Sequence, residues 1–287
     1  MVEQQERPSL AALAREAAAQ RVGLGAFNVI QLEHATALVG AAEEVGRPVV
    51  LQISQNAARY HGSLEPVLLA TLAVARTATV PVVVHLDHAE DVALVEEAVR
   101  LGVHSVMYDG SHLDYQANVA STAEVVAHCH AAGVSVEAEL GEVGGKDGVH
   151  APGARTDPDE AAAFVEATGV DLLAVAVGSS HAMTTRDAVL DTELVAALAA
   201  RVPVPLVLHG SSGVSDDGMR AAITAGMTKI NVSTHLNKVM TAAVREVLDG
   251  PDAPVDPRRW MAPGRRAVQQ EAARLLALYG RPAPADG

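Results

Sequence analysis

Histidines and carboxylates recur in this sequence at the ends of short apolar runs, and chemistry would gather there. One run ends in His85-Leu86-Asp87-His88, the next in Asp109-Gly110-Ser111, and a third carries Glu137 and Glu139. Later runs lead into Gly178-Ser179-Ser180-His181 and His209-Gly210-Ser211-Ser212-Gly213, and the last contains Asn231 and Thr234. One polar residue at such an end is uninformative, because a strand exits to solvent anyway. Six consecutive runs doing so define a site. His88, His181 and His209 could supply nitrogen ligands to a tetrahedral metal while leaving a position open for substrate. Taken singly, each is more readily a hydrogen-bonded strand-end residue, and the chain has 12 histidines. His34, His61, His104, His112, His128, His130, His150 and His235 fall on helices or loops and read as structural or solvated. His85 lies two residues before Asp87, on the same strand face, and could back the site from behind.

The elements that must position these residues are legible from periodicity. The apolar runs are Leu24–Val29, Pro48–Ser54, Pro81–Asp87, Ser105–Asp109, Ser135–Leu140, Asp171–Gly178, Pro205–His209 and Lys229–Thr234. Helix-length segments separate them: Leu32–Val45, Leu64–Thr77, Val92–Leu101, Tyr115–Ala132, Pro158–Thr168, Thr192–Ala200 and Asp216–Ala225. Many runs are apolar on both faces, as parallel strands covered by helices are. Eight strand–helix units predict an α/β fold, a (β/α)8 TIM barrel, whose functional residues assemble at the C-terminal ends of its strands. The competitor is an open nucleotide-binding sheet, but that needs a Gly-rich turn after its first strand, where this chain has Asn28-Val29-Ile30-Gln31. No linker divides the chain, so residues 1–287 read as a single domain, with the barrel over about 20–250 and an extra C-terminal helical tail over about 256–280. The longest irregular connection, Gly141–Asp157, is rich in Gly and charge, as functional loops are. The Gly210–Gly213 and Asn231–Thr234 segments each precede a helix. Loops after strands seven and eight hold phosphate in this fold through backbone N–H groups and helix N-termini; plain turns with helix caps are the alternative.

Composition narrows the function. Of 287 residues, 49% are hydrophobic and only 2% aromatic, so the core is built from Ala, Val, Leu and Ile. A formal charge of −14 argues against nucleic acid and against an anionic membrane surface. The single cysteine, Cys129, excludes an intrachain disulfide and reads as a half-buried helical thiol. No apolar stretch reaches the roughly 18 residues of a membrane span and the N-terminus has no signal core, which reads as cytoplasmic.

The motifs Gly25-Ala26-Phe27-Asn28, His85-Leu86-Asp87-His88, Ser105-Val106-Met107-Tyr108-Asp109, Val136-Glu137-Ala138-Glu139-Leu140-Gly141, Leu208-His209-Gly210 and Lys229-Ile230-Asn231-Val232 occur in that order. Jointly they resemble the class II, metal-dependent ketose-bisphosphate aldolases of the fructose- and tagatose-bisphosphate types, from about Gly25 to Arg266. The resemblance implies Zn(2+) held by His88, His181 and His209, with Asp109 and Glu139 lining an alternative or second metal position. It implies that Asp87 is the acid/base at the substrate's C4 hydroxyl. Gly210, Ser211, Ser212, Asn231, Val232, Ser233 and Thr234 would hold the dihydroxyacetone phosphate half, with Asn231 also near the reacting carbons. Arg265, in Pro263-Gly264-Arg265, resembles a family arginine that reaches a neighbouring subunit's second phosphate. Family members are commonly homodimers or homotetramers, and some tagatose-type relatives need a companion subunit.

This chemistry makes physical sense. Breaking a C3–C4 bond leaves negative charge delocalised as an enediolate, which a Lewis acid stabilises. The rival strategy uses a Schiff-base lysine, and the chain has only Lys146, Lys229 and Lys238. Lys229 is expected to begin its strand at the wrong end of a barrel, and Lys238 to lie on a helix. Two positions depart from the family pattern. Where a Glu commonly shuttles protons, Gly144-Gly145-Lys146-Asp147-Gly148 offers Asp147, one methylene shorter. Where the sixth-strand motif ends His-Gly, this chain has His181-Ala182, so Ala182 puts a methyl near the phosphate. An aldolase for another sugar phosphate and a non-catalytic sugar-phosphate-binding subunit remain open. A metal-dependent hydrolase is the further alternative, but it normally needs a His-x-His pair after the first strand, where this chain has Asn28-Val29-Ile30.

Overall fold

The computed structural model describes residues 8–140, 155–179, 186 and 188–280. Within them the chain opens with α1 (Leu10–Ala19), β1 (Leu24–Asn28), α2 (Leu32–Val45), β2 (Val49–Ser54), α3 (Gln55–His61) and α4 (Glu65–Ala75). It continues through β3 (Val82–Ala89), α5 (Val92–Leu101), β4 (Ser105–Tyr108), α6 (Tyr115–Ala131), β5 (Ser135–Glu139) and α7 (Pro158–Thr168). The last third holds β6 (Leu172–Ala174), α8 (Thr192–Arg201), β7 (Leu206–Leu208), α9 (Asp216–Ala225), β8 (Met227–Val232), α10 (Thr234–Leu248) and α11 (Pro257–Tyr279). The strands pair in parallel in chain order, and β1 pairs with both β2 and β8, which closes the barrel. The expected (β/α)8 architecture with a helical tail is the one observed.

Period-2 alternation sorts each strand into two rows. Outward residues such as Phe27, Leu51, Ile53, Val84, Leu86, Val136, Leu173 and Ile230 pack with the helices in one continuous core. Inward residues at the N-terminal end, Leu24, Ala26, Val50, Val83, Leu172, Ala174 and Val207, form a second apolar cluster with Leu10, Ala14 and Ala17 of α1. That helix therefore stoppers the bottom of the barrel. Higher up, the same inward rows turn polar: Asn28 follows Ala26, Gln52 follows Val50, His85 and Asp87 follow Val83, and His209 follows Val207. Hydrogen bonds link these residues across strands, so the polarity sits in the barrel and not against the helices.

Neither α1 nor α3 is among the elements expected from sequence, and strand boundaries differ most at the sixth and eighth strands. The sixth strand stops at Ala174, because Thr156 takes up the next backbone, exchanging bonds with both Ala176 N–H and Ala176 C=O. The eighth begins at Met227, opposite Leu206 on β7, and its expected last residue, Thr234, opens α10 instead. Lys229 is consequently the third residue of β8 and fully buried in the barrel interior, not at the strand's start. Helix α11 lies between α10 and α2 and over β1. Gly25 permits that approach, since a Cβ there would stand 2.7 Å from Leu276 Cδ2. Cys129 is fully buried in α6, more than expected, and burial pushes its thiol up to about 12. No described helix is long and apolar enough to cross a membrane.

Candidate functional site

An irregularity at the end of β3 creates the site. Pairing with β4 shifts register between Leu86 and Ala89, and His88 takes a left-handed φ of 48°. In a regular strand, an inward Asp87 would send His88 outward to the helices. The bulge turns consecutive side chains to one side. Asp87 and His88 both reach the barrel mouth as a result. A left-handed non-glycine residue costs roughly 1–2 kcal/mol, and such strain concentrates at functional sites.

Around His88 the ends of β5 and β7 converge. His88, Glu139 and His209 offer ligand atoms that all lie within 4.8 Å of one another. His209 is fully buried, with Nε2 3.2 Å from Glu137 Oε1 and Nδ1 3.3 Å from Glu139 Oε2. If Glu137 accepts the Nε2 proton, the Nδ1 lone pair faces Glu139 and the centre of the trio, as in carboxylate–histidine–metal arrangements. Burial disfavours a charged His209, yet its bonds to Glu137 and Glu139 push it up to about 9. Burial likewise opposes charge on His88, but Asp87 and Asp109 raise its pKa. The field at the trio thus favours positive charge. Two imidazoles and a carboxylate are also a donor set that suits a divalent transition ion. Asp109 stands behind His88: its Oδ1 accepts from Ser111 N–H (3.0 Å) and Ser111 Oγ–H (2.6 Å), and its Oδ2 lies 3.8 Å from His88 Nδ1. His181 lies outside the described residues, as do Ala182 and Asp147.

Asp87 is held from the β1 side. Asn28 Nδ2 donates to Asp87 Oδ2 at 3.0 Å, and Gln52 Nε2 donates to Asn28 Oδ1 at 3.3 Å, which fixes the Asn28 amide. The other oxygen, Asp87 Oδ1, is buried without a hydrogen-bond partner among the described residues. Burial would raise its pKa, but the cations around it, His88 and Lys229 foremost, hold the carboxyl below its usual range. It is an ionised base with one oxygen available.

Beneath the trio lies a second buried layer. Lys229 Nζ is 2.9 Å from Glu137 Oε2 and donates to Asn231 Oδ1 at 2.9 Å. Despite burial, Lys229 and the His209 bond keep Glu137 well below the usual carboxylate range. His85 is fully buried in this layer, its Nδ1 2.8 Å from Ser105 Oγ. Burial first, then Lys229, lowers it to about 3, so it is neutral. Sequence reasoning gave no role to Gln52 or Glu137 and set Lys229 apart. The signal was present: Lys229 and Asn231, like Glu137 and Glu139, share a face at spacing two.

The two loops after β7 and β8 are knitted together. Gly210 takes φ 67° to enter a 3-10 turn, Ser211–Gly213. Ser211 Oγ donates to the Asn231 carbonyl, and His235 N–H at the start of α10 donates to Ser212 Oγ at 3.2 Å. Ser233 is the N-cap of α10 and makes no side-chain cap bond, while Thr234 is its first residue. Val232 packs outward in the core and offers this region only its backbone. Arg186 ties the β7 loop to the tail, donating to Val214 O and to Asp216, which Arg274 of α11 also grips. Arg265 is exposed on α11 and makes no ion pair or hydrogen bond with a described residue.

An ionised carboxylate, a cation-seeking trio and an adjacent pair of N–H-rich loops can together remove a hydroxyl proton, stabilise developing negative charge and hold a phosphate. Comparison with known proteins agrees. Residues 8–282 match the family model described as fructose-bisphosphate aldolase class-II. A fructose-bisphosphate aldolase of Thermus caldophilus is 38% identical, covering 93% of this chain and 95% of its own. One from Geobacillus stearothermophilus is 38% identical, covering 95% and 96%. The crystal structure of the YdjI aldolase from Escherichia coli superposes with a TM-score of 0.85 at 33% identity, covering 96% of this chain and 98% of that one.

Proposed function

The chain belongs to the class II fructose-bisphosphate aldolase family, a metal-dependent group of carbon–carbon lyases acting on sugar phosphates, and from that premise we propose that it cleaves a ketose 1,6-bisphosphate of the fructose or tagatose type. The products are dihydroxyacetone phosphate and an aldehyde. The metal is zinc, held by His88 and His209 with His181 as the third imidazole, and Glu139 and Asp109 beside them. Bound there, a divalent ion supplies a Lewis acid for the negative charge of the enediolate.

The residues of the chain do the remainder. Asp87 Oδ1 takes the C4 hydroxyl proton as the C4–O bond becomes a carbonyl. The C3–C4 bond breaks and its electron pair passes to the triose fragment, which Asn231 faces. An acid then returns a proton to C3, and Asp147 is the candidate for it. Gly210, Ser211, Ser212, Val232, Ser233 and Thr234 receive the phosphate through N–H groups and hydroxyls. Ala182 and Arg265 would meet the substrate's outer parts.

The observation that carries this reading is the bulge that puts Asp87, with one buried oxygen unpaired among the described residues, beside His88. Cleavage should be assayed over a panel of ketose 1,6-bisphosphates, with and without chelator, on native protein and Asp87→Ala. We expect chelator-sensitive cleavage of one or both substrates and a loss of roughly 100-fold or more in kcat for the variant. Near-native cleavage by Asp87→Ala would remove Asp87 from the acid/base role. No cleavage of either bisphosphate, in protein carrying its metal, would shift the substrate to another sugar phosphate.

A further inference from the structure

The charged pair under the site has a use that the proton and metal chemistry leaves unassigned. Lys229 and Glu137 are both fully buried, and ions are costly to bury even when paired. Their second partners explain why they are there. A lysine ammonium only donates hydrogen bonds, so the Asn231 atom it meets at 2.9 Å must be the carbonyl oxygen. This settles which way the amide faces. The Asn231 Nδ2 protons are turned away from Lys229 and make no hydrogen bond with a described residue. Lys229 is itself pinned by Glu137 Oε2, while Glu137 Oε1 meets His209 Nε2 at 3.2 Å. One carboxylate therefore reaches toward both halves of the site.

We propose that Lys229 is a positioning residue that sets the Asn231 amide so that its Nδ2 protons face the enediolate half of the substrate, with Glu137 as the anchor shared with His209. The inference rests on the aldolase reading above, because it takes Asn231 to face substrate. An amide flipped by 180° would present its oxygen to developing negative charge and repel it. The device acts on the transition state and not on ground-state binding, and such effects fall on kcat.

The test separates positioning from charge balance. Lys229→Met alone strands the Glu137 carboxylate and could simply unfold the barrel, so the decisive protein is the double variant Lys229→Met/Glu137→Gln. It removes both charges and keeps an amide oxygen to accept from His209 Nε2. Four readouts are needed: metal content, kcat and KM, the affinity for dihydroxyacetone phosphate, and the affinity for glycolohydroxamate phosphate, a planar enediolate mimic. We expect metal content near native, a KM and dihydroxyacetone phosphate affinity within about threefold, and a loss of roughly tenfold or more in both kcat and mimic affinity. Near-native kcat and mimic affinity in the double variant would overturn the proposal and leave Lys229 as a counter-ion. An equal loss for both ligands would also overturn it, since that is general damage to the site. Asn231→Ala isolates the premise: if it has native kcat, the substrate-facing role of Asn231 fails and the positioning proposal falls with it, for that identifiable reason.

Discussion

The rings of His88 and His209 meet edge to face, with centroids 4.7 Å apart and planes at 65°. One comes from the bulge ending β3 and the other from the residue after β7, so the contact spans the barrel mouth. It holds only while the left-handed turn at His88 holds.

That dependence separates backbone from ligand. His88→Gly and His88→Ala both delete the imidazole and should both lose the bound metal. Only alanine keeps the penalty of a left-handed φ, so the glycine variant should be more stable by roughly 1 kcal/mol. Urea unfolding of the two variants in chelator measures the difference. Equal stability would mean that the bulge is unstrained.

Metal removal should unload the whole mouth. Ligand binding to the folded state alone stabilises it by about 4 kcal/mol at a thousandfold excess over Kd. Chelator should therefore abolish cleavage and lower the melting temperature together, and returning the metal should restore both. Glu139→Gln, which removes one charge from the trio, should need a higher metal concentration for the same recovery.

Gly110 is predicted to be irreplaceable for a packing reason. A Cβ there would collide with Asn118 Oδ1, and the Asn118 amide donates to the Glu139 carbonyl at 3.4 Å while accepting from Thr122. Gly110→Ala should cost about 1–3 kcal/mol by disturbing a buried hydrogen-bonded group. Asn118→Ala should cost a similar amount, and the double variant less than the sum, since both act on one contact.

The tail supplies a pH dependence. Burial would raise the Glu271 pKa, but its bonds to His235 and Arg274 bring it down to about 2, against 4.5 for a free glutamate. A depressed carboxylate contributes stability that is complete above the unfolded value and lost as pH falls toward the folded one. Melting temperature should therefore drop between about pH 5 and pH 2. In Glu271→Gln the drop should be shallower, from a lower starting point. An identical slope would mean that the bonds of Glu271 to His235 and Arg274 are together worth nothing.

Architecture was legible because each strand carries a period-2 pattern that parallel pairing and helix cover must satisfy. Asp87, His88 and His209 were legible because polar residues recur at the ends of consecutive strands, which exit to solvent does not explain strand after strand. What stayed hidden depends on partners far away in sequence. Leu10–Ala19 is not among the elements expected from sequence, and only the apolar inward ends of several strands show that it fills the barrel's lower opening. Lys229 looks like a strand's first residue until the Leu206–Met227 pairing sets the start of β8 two positions earlier. The bulge at His88 leaves no mark in residue type, since histidine carries none of the glycine signature of a left-handed position.

The last helix bears on how the chain is made. Gly23 N–H donates to the Tyr279 carbonyl at 2.8 Å, and Leu276 lies over Gly25, so the outer face of the first strand is covered by residues synthesised long after it. At about 5–20 residues per second, Phe27 and its neighbours wait roughly tens of seconds on the ribosome before their cover emerges. The seam stays open until that cover emerges, and the nascent chain presents a sticky edge for that interval, when a chaperone would have most to offer.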